Sequence, residues 1–78
     1  MNLAAIDIGS NAARLLITEV TDTEKKPVFE KLNLVRIPLR LGFDVFETGR
    51  ISEKKIDMFI KTMKAYKLLL DVYDVKFL

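Results

Sequence analysis

Within the run Ile6-Asp7-Ile8-Gly9-Ser10-Asn11, a carboxylate, a glycine, a hydroxyl and a side-chain amide follow one another almost without interruption. An aspartate near a strand end can hold a hard cation or orient a water beside a phosphate. A glycine lets an anion approach the backbone, successive N–H groups of a turn form a concave anion site, and serine and asparagine add side-chain donors. Asp7 is therefore the candidate metal ligand, and Gly9, Ser10 and Asn11 the candidate phosphate cradle. Asp-x-Gly alone equally suits an aspartate that hydrogen-bonds its own turn. Gly-Ser-Asn also suits a hairpin chosen for its φ/ψ tolerance, and a tight turn is what a cradle needs in any case.

All the arginines (Arg14, Arg36, Arg40 and Arg50) fall between positions 14 and 50, whereas lysines dominate elsewhere. A planar guanidinium grips phosphate oxygens in a bidentate way that lysine does not match. Arg14, three residues past Asn11, and Arg40, beside Leu41-Gly42, are the candidate additional phosphate ligands. By strand alternation Arg14 points either into a cleft or out to solvent. Arg36 and Arg50 read as surface charges. Lys54, Lys55, Lys61, Lys64 and Lys67 share their segment with Glu53, Asp57 and Asp71, which describes a solvated helix face rather than a nucleic-acid stripe.

The elements that must position these groups follow from periodicity. Leu3 to Ile8, apolar apart from Asp7, and Ala12 to Val20 read as strands on either side of the turn. Thr21 to Pro27 is a polar hairpin turn, and Val28 to Leu39 a third strand, limited by Pro38. In it Phe29, Val35 and Ile37 are expected on one face and Val28, Leu32 and Leu34 on the other. Arg40 to Arg50, with Gly42 and Gly49, reads as a loop. Ser52 suits an N-cap, Ile51 can staple onto Ile56, and Ile56, Phe59, Ile60, Met63, Tyr66, Leu70 and Tyr73 follow helical spacing from Glu53 to about Val72. Met58 and Met63 are core filler in this scheme. Val75 to Leu78 opens a fourth strand.

Composition bounds the rest. The chain has 78 residues, half of them apolar and 31% charged, which fits at most one packed domain. It has no cysteine and no histidine, so thiolate, histidine-base and zinc chemistry are excluded within it, and a bound metal must be a hard, oxygen-liganded ion such as Mg2+. Thirteen basic against 11 acidic residues give +2, too balanced to argue for nucleic acid. There is no span of ~20 apolar residues and no signal-peptide pattern, so a cytoplasmic location with neither membrane nor nucleic-acid partner is expected. Three strands, a helix and a strand leave one sheet face uncovered, and the sequence stops within an apolar element. Residues 1–78 are accordingly expected to be a single, incomplete N-terminal α/β subdomain.

Ala5-Ile6-Asp7-Ile8-Gly9-Ser10-Asn11 with Arg14-Leu15-Leu16 resembles the opening of the exopolyphosphatase / guanosine pentaphosphate phosphatase family. Arg40-Leu41-Gly42 and Thr48-Gly49-Arg50-Ile51-Ser52-Glu53 are similar to that family's later signatures, in the same order. Ala12 departs from the serine the family often carries, which removes a hydroxyl and leaves the turn. The resemblance implies a partial ribonuclease-H-like, actin-like fold with three antiparallel strands, one helix and the start of a fourth strand. It implies hydrolysis of terminal phosphoanhydride bonds of polyphosphate or guanosine pentaphosphate, with Mg2+ beside Asp7 and phosphate on Gly9, Ser10, Asn11 and Arg40. The glutamate base would lie beyond residue 78, so this chain alone is expected to be inactive, and the parent protein is expected to be a homodimer. The alternative is an actin-like module that binds ATP for assembly or chaperone work, against which Ser10-Asn11 argues because many such relatives carry threonine near that position.

Overall fold

Alternation in the first forty residues builds a sheet. In the computed structural model, which describes residues 1–78 except for the side chain of Phe77, β1 (Asn2–Ile8) and β2 (Ala13–Thr21) form an antiparallel hairpin around Gly9–Ala12. β3 (Val28–Ile37) pairs antiparallel with β2 and stops where Pro38 can no longer donate to the ladder. β4 (Val75–Phe77) lies parallel to β1, giving the order β3-β2-β1-β4.

Two helices connect β3 to β4. α2 (Glu53–Val72) has the bounds its spacing predicts, with Ser52 as N-cap accepting from the Lys55 N–H at 3.3 Å. α1 (Leu41–Thr48) was not expected, because Arg40 to Arg50 reads as a loop. Neither of its glycines breaks the helix. Gly42 sits in the first turn, where it makes room for a neighbouring loop, and Gly49 (φ 77°) closes the end by donating to Val45 O. The loop reading of this segment is therefore corrected to a short helix, so that two helices rather than one follow the three strands.

α2 packs on one face of the sheet. Ala13, Leu15 and Ile17 of β2 are fully buried there with Leu39 and Tyr66, and Ala4, Ile6, Val35 and Ile37 flank them. The buried Tyr66 hydroxyl lies 3.0 Å from both Ala13 O and Val35 O, tying the helix to the turn end of β2 and β3. Two details of the expected core are corrected. Ile56 and Ile60 are each 46% exposed, because the buried face of α2 is centred on Thr62 and Tyr66, with Met58, Phe59, Met63, Leu69, Leu70 and Tyr73 around it. Leu32 joins the core with Val35 and Ile37 although parity puts it on the other face. A β-bulge explains this: Ile17 pairs with Asn33 and Thr18 with Lys31, so Leu32 is the extra residue and the alternation resets.

The opposite sheet face carries no helix. It presents Leu3, Ala5 and Asp7 of β1, Arg14, Leu16 and Thr18 of β2, and Leu34 and Arg36 of β3.

Candidate functional site

The turn Gly9–Ala12 is fixed by its carbonyls. Ala12 O accepts from the Gly9 N–H at 3.0 Å, Asn11 O from the Arg40 N–H at 2.8 Å, and Ser10 O from the Gly42 N–H at 2.7 Å. Among the described residues the N–H groups of Ser10 and Asn11 donate to nothing, and both residues are exposed. The turn therefore directs its acceptors into the protein and leaves adjacent donors free, which is the polarity an anion-binding concavity requires.

Docking of α1 sets this polarity. A Cβ on Gly42 would lie 2.6 Å from Ser10 Cβ and 3.2 Å from Ser10 O, so only glycine allows the helix to approach. Arg40 holds the N-cap position of α1 in the left-handed region (φ 56°, ψ 44°), which aims its N–H at Asn11 O while its own carbonyl accepts from Phe43 at 3.2 Å. Its guanidinium stands over the Phe43 ring, 5.3 Å from the centroid. The structure thus joins Gly9, Ser10 and Asn11 to Arg40 through the backbone.

Gly9 differs from Gly42. Its φ lies outside the left-handed region, and an added Cβ would meet nothing nearer than Ala12 O at 3.8 Å. Neither backbone strain nor internal packing requires glycine there, so the turn has open space beside it.

Asp7 and Arg14 are direct cross-strand partners on the helix-free face, and Arg14 in turn pairs with Arg36 on β3. Asp7, Arg14 and Arg36 are all exposed, and none has an oppositely charged partner within 4.0 Å among the described residues. Arg14 thus points away from the helical layer. Arg36 and Arg50 are exposed, as read from the sequence. Counting outward from a two-stranded turn would have revealed the Asp7–Arg14 pairing; the Arg36 register required the second hairpin to be known.

The donor set around Asp7 bears on the metal. Among the described residues no three acidic side chains converge, so an ion held wholly by the protein does not fit. One exposed carboxylate at the turn end of the sheet does fit a magnesium shared with substrate phosphates, the usual arrangement for that ion.

Two concavities lie elsewhere, around the α1–α2 junction. One of about 520 Å3 is lined by Thr48, Arg50, Ile51, Ser52 and Glu53, and an apolar one of about 150 Å3 by Leu41, Ile51, Ile56 and Phe59. At this junction Asp44 Oδ2 accepts from the Ser52 N–H at 3.1 Å. Hydrogen bonding from Ser52 holds the Asp44 carboxyl below its ordinary range, with a smaller contribution from nearby Lys55. Lys55 Nζ reaches Leu39 O at 2.6 Å, whereas Lys61 pairs with Asp57 in solvent.

The four-stranded sheet of this order, with its two helices, has the ribonuclease-H-like, actin-like fold. No protein-family model matches the chain. Solved structures of an Aquifex aeolicus Ppx/GppA phosphatase do match: its type II variant superposes with a TM-score of 0.86 at 35% identity over 99% of this chain and 24% of that one. A further structure of the Aquifex aeolicus enzyme gives 0.83 at 36% identity with the same coverage. A bifunctional 3-dehydroquinate synthase/phosphatase of Fusobacterium nucleatum is 36% identical over 78 residues, covering 94% of this chain and 11% of the relative. The resemblance to Ppx/GppA phosphatases is therefore one of sequence and fold together, and the chain spans about a quarter of those solved proteins.

Proposed function

We propose that this chain forms the phosphate-holding part of a Ppx/GppA-type phosphohydrolase, which cleaves terminal phosphoanhydride bonds of polyphosphate or guanosine pentaphosphate. The observation that carries the reading is the turn Gly9–Ala12, whose Ser10, Asn11 and Ala12 carbonyls are engaged while, among the described residues, the Ser10 and Asn11 N–H groups stay free beside an unhindered Gly9. The terminal phosphoryl group sits against these donors, with Arg14 and Arg40 balancing its remaining charge. Asp7 is the residue that would hold a Mg2+ ion, and the ion would supply charge neutralisation beside the phosphate. The chain's own residues position the group and withdraw charge, which is most of what phosphoryl transfer asks of a protein. The water-activating base is a glutamate outside residues 1–78, so this chain holds phosphate without releasing it. The parent protein works as a homodimer in the cytoplasm.

Gly9→Ala tests the loop cleanly. The internal geometry accepts the methyl group, so stability should hold or rise by about 0.4–1 kcal/mol. The methyl occupies the anion's approach, so affinity for magnesium pyrophosphate measured by calorimetry should fall about tenfold. Undiminished binding in a folded Gly9→Ala protein refutes the assignment of the turn. Phosphate release from polyphosphate by the isolated chain refutes the placement of the base.

A further inference from the structure

Arg14 and Arg36 are directly opposed on neighbouring strands. Like charges in that position repel, and isolated strands gain nothing from the arrangement. Asp7 flanks Arg14 on the far side, so the row Asp7–Arg14–Arg36 offers one carboxylate for two guanidiniums, and no salt bridge of 4.0 Å or less relieves it among the described residues. The row crosses the sheet about two residues, roughly 7 Å, from the turn Gly9–Ala12. Among the described strand residues, Arg14 and Arg36 are the arginines on this face, whose next row is the apolar set Ala5, Leu16 and Leu34. A pair of exposed, uncompensated guanidiniums a strand spacing apart matches a ligand that carries its charge on successive groups rather than one.

We infer that Arg36, one strand beyond Arg14, which serves the terminal group, binds the phosphoryl groups that follow the terminal one in a linear phosphate chain, and that Arg36 sets the preference for longer chains over single phosphate groups. This rests on the proposal that the turn holds the terminal phosphoryl group. Arg36 makes no contact with the reacting phosphorus in this scheme: it is a specificity residue, and its effect grows with the number of phosphoryl groups bound.

The test compares orthophosphate, pyrophosphate and tripolyphosphate binding with magnesium, by calorimetry, in wild-type protein and in Arg36→Gln, Arg36→Lys and Arg50→Gln variants. Wild type should bind tripolyphosphate more tightly than orthophosphate, and Arg36→Gln should lose about tenfold in tripolyphosphate affinity while orthophosphate changes by less than about twofold. Arg36→Lys should recover part of the loss, because a point charge lacks the bidentate fork. Arg50→Gln, which removes the same charge from the α1–α2 junction, should bind as wild type does. The ratio of affinities is the readout, and a general loss of folded protein does not move it. An unchanged ratio in Arg36→Gln, or an equal loss in Arg50→Gln, overturns the assignment of Arg36 and leaves the turn standing. Failure of wild type to bind any of the three overturns both proposals.

Discussion

Replacing Gly42 with alanine probes the docking of α1 against the Gly9–Ala12 turn. The new Cβ would lie 2.6 Å from Ser10 Cβ, whereas carbon atoms pack at about 3.5–4.0 Å, so Ser10 must withdraw by about 1 Å. Ser10 O accepts from the Gly42 N–H itself and Asn11 O from the Arg40 N–H, so the withdrawal weakens both bonds at once. Overpacking costs about 1–3 kcal/mol. Each lost hydrogen bond adds about 0.5–1.5 kcal/mol. Alanine's better helix propensity offsets at most about 1 kcal/mol. The net cost is about 1–5 kcal/mol against a total stability of roughly 4–12 kcal/mol for a chain of this size.

Two readouts locate that cost. Thermal unfolding should shift down by at least about 4 °C if the turn stays docked under strain. If the turn lifts away instead, the melting temperature changes less, and binding of magnesium pyrophosphate weakens because the Ser10 and Asn11 donors lose their fixed orientation. A Gly42→Ala protein that melts at or above the wild-type temperature and binds pyrophosphate unchanged refutes the claim that this close contact shapes the turn.

Other outcomes follow from the packing. Tyr66→Phe removes the hydroxyl between Ala13 O and Val35 O, and should lower stability by about 1–2 kcal/mol in a denaturant titration without altering phosphate binding. Burial raises the Tyr66 pKa, so its contribution is fully present below the ordinary tyrosine range and lost as pH rises through the folded value. That alkaline loss should be smaller in Tyr66→Phe. Asp44 has the opposite sign: its folded pKa is lowered, chiefly by Ser52, so its contribution is present above the ordinary aspartate range and lost as pH falls through the folded value. Melting temperatures of wild type and Asp44→Asn should therefore differ at neutral pH and converge in acid; parallel curves would show that the Ser52 contact adds nothing.

What could be read from the sequence depended on how local the signal was. The turn, the two strands beside it and the whole of α2 are written in short-range pattern: alternation on either side of Gly-Ser-Asn, and Ser52 ahead of a helical repeat. α1 was not legible, because its two glycines are loop residues by propensity and their reasons are remote or terminal. Gly42 is needed for Ser10, thirty-two positions earlier, and Gly49 for a left-handed cap. Leu32 failed for a related reason: alternation assumes an unbroken ladder, and a single bulge opposite Ile17 and Thr18 reverses the parity of everything beyond it. Hydrophobicity alone points to Ile56 and Ile60 on the buried face of α2, whereas the helix turns Thr62 and Tyr66 inward and leaves both isoleucines half exposed. Thr62 takes the buried place by returning its hydroxyl to Met58 O at 2.8 Å, which satisfies the group inside its own helix.

The same distinction between local and remote reasons bears on Arg40. A non-glycine residue in the left-handed region costs about 1–2 kcal/mol, and glycine would occupy that position without strain. The backbone geometry is needed, since it delivers the Arg40 N–H to Asn11 O and the Arg40 carbonyl to Phe43. An arginine side chain is not needed for either bond. Its guanidinium, set over the Phe43 ring, is thus present at a conformational cost that the fold itself does not require. Gly42 and Arg40 show opposite departures where α1 meets the turn: a side chain absent because Ser10 occupies the space, and a side chain present where the backbone would prefer none. The first lets α1 close on Ser10, and the second sets a cation over Phe43 at the start of that helix.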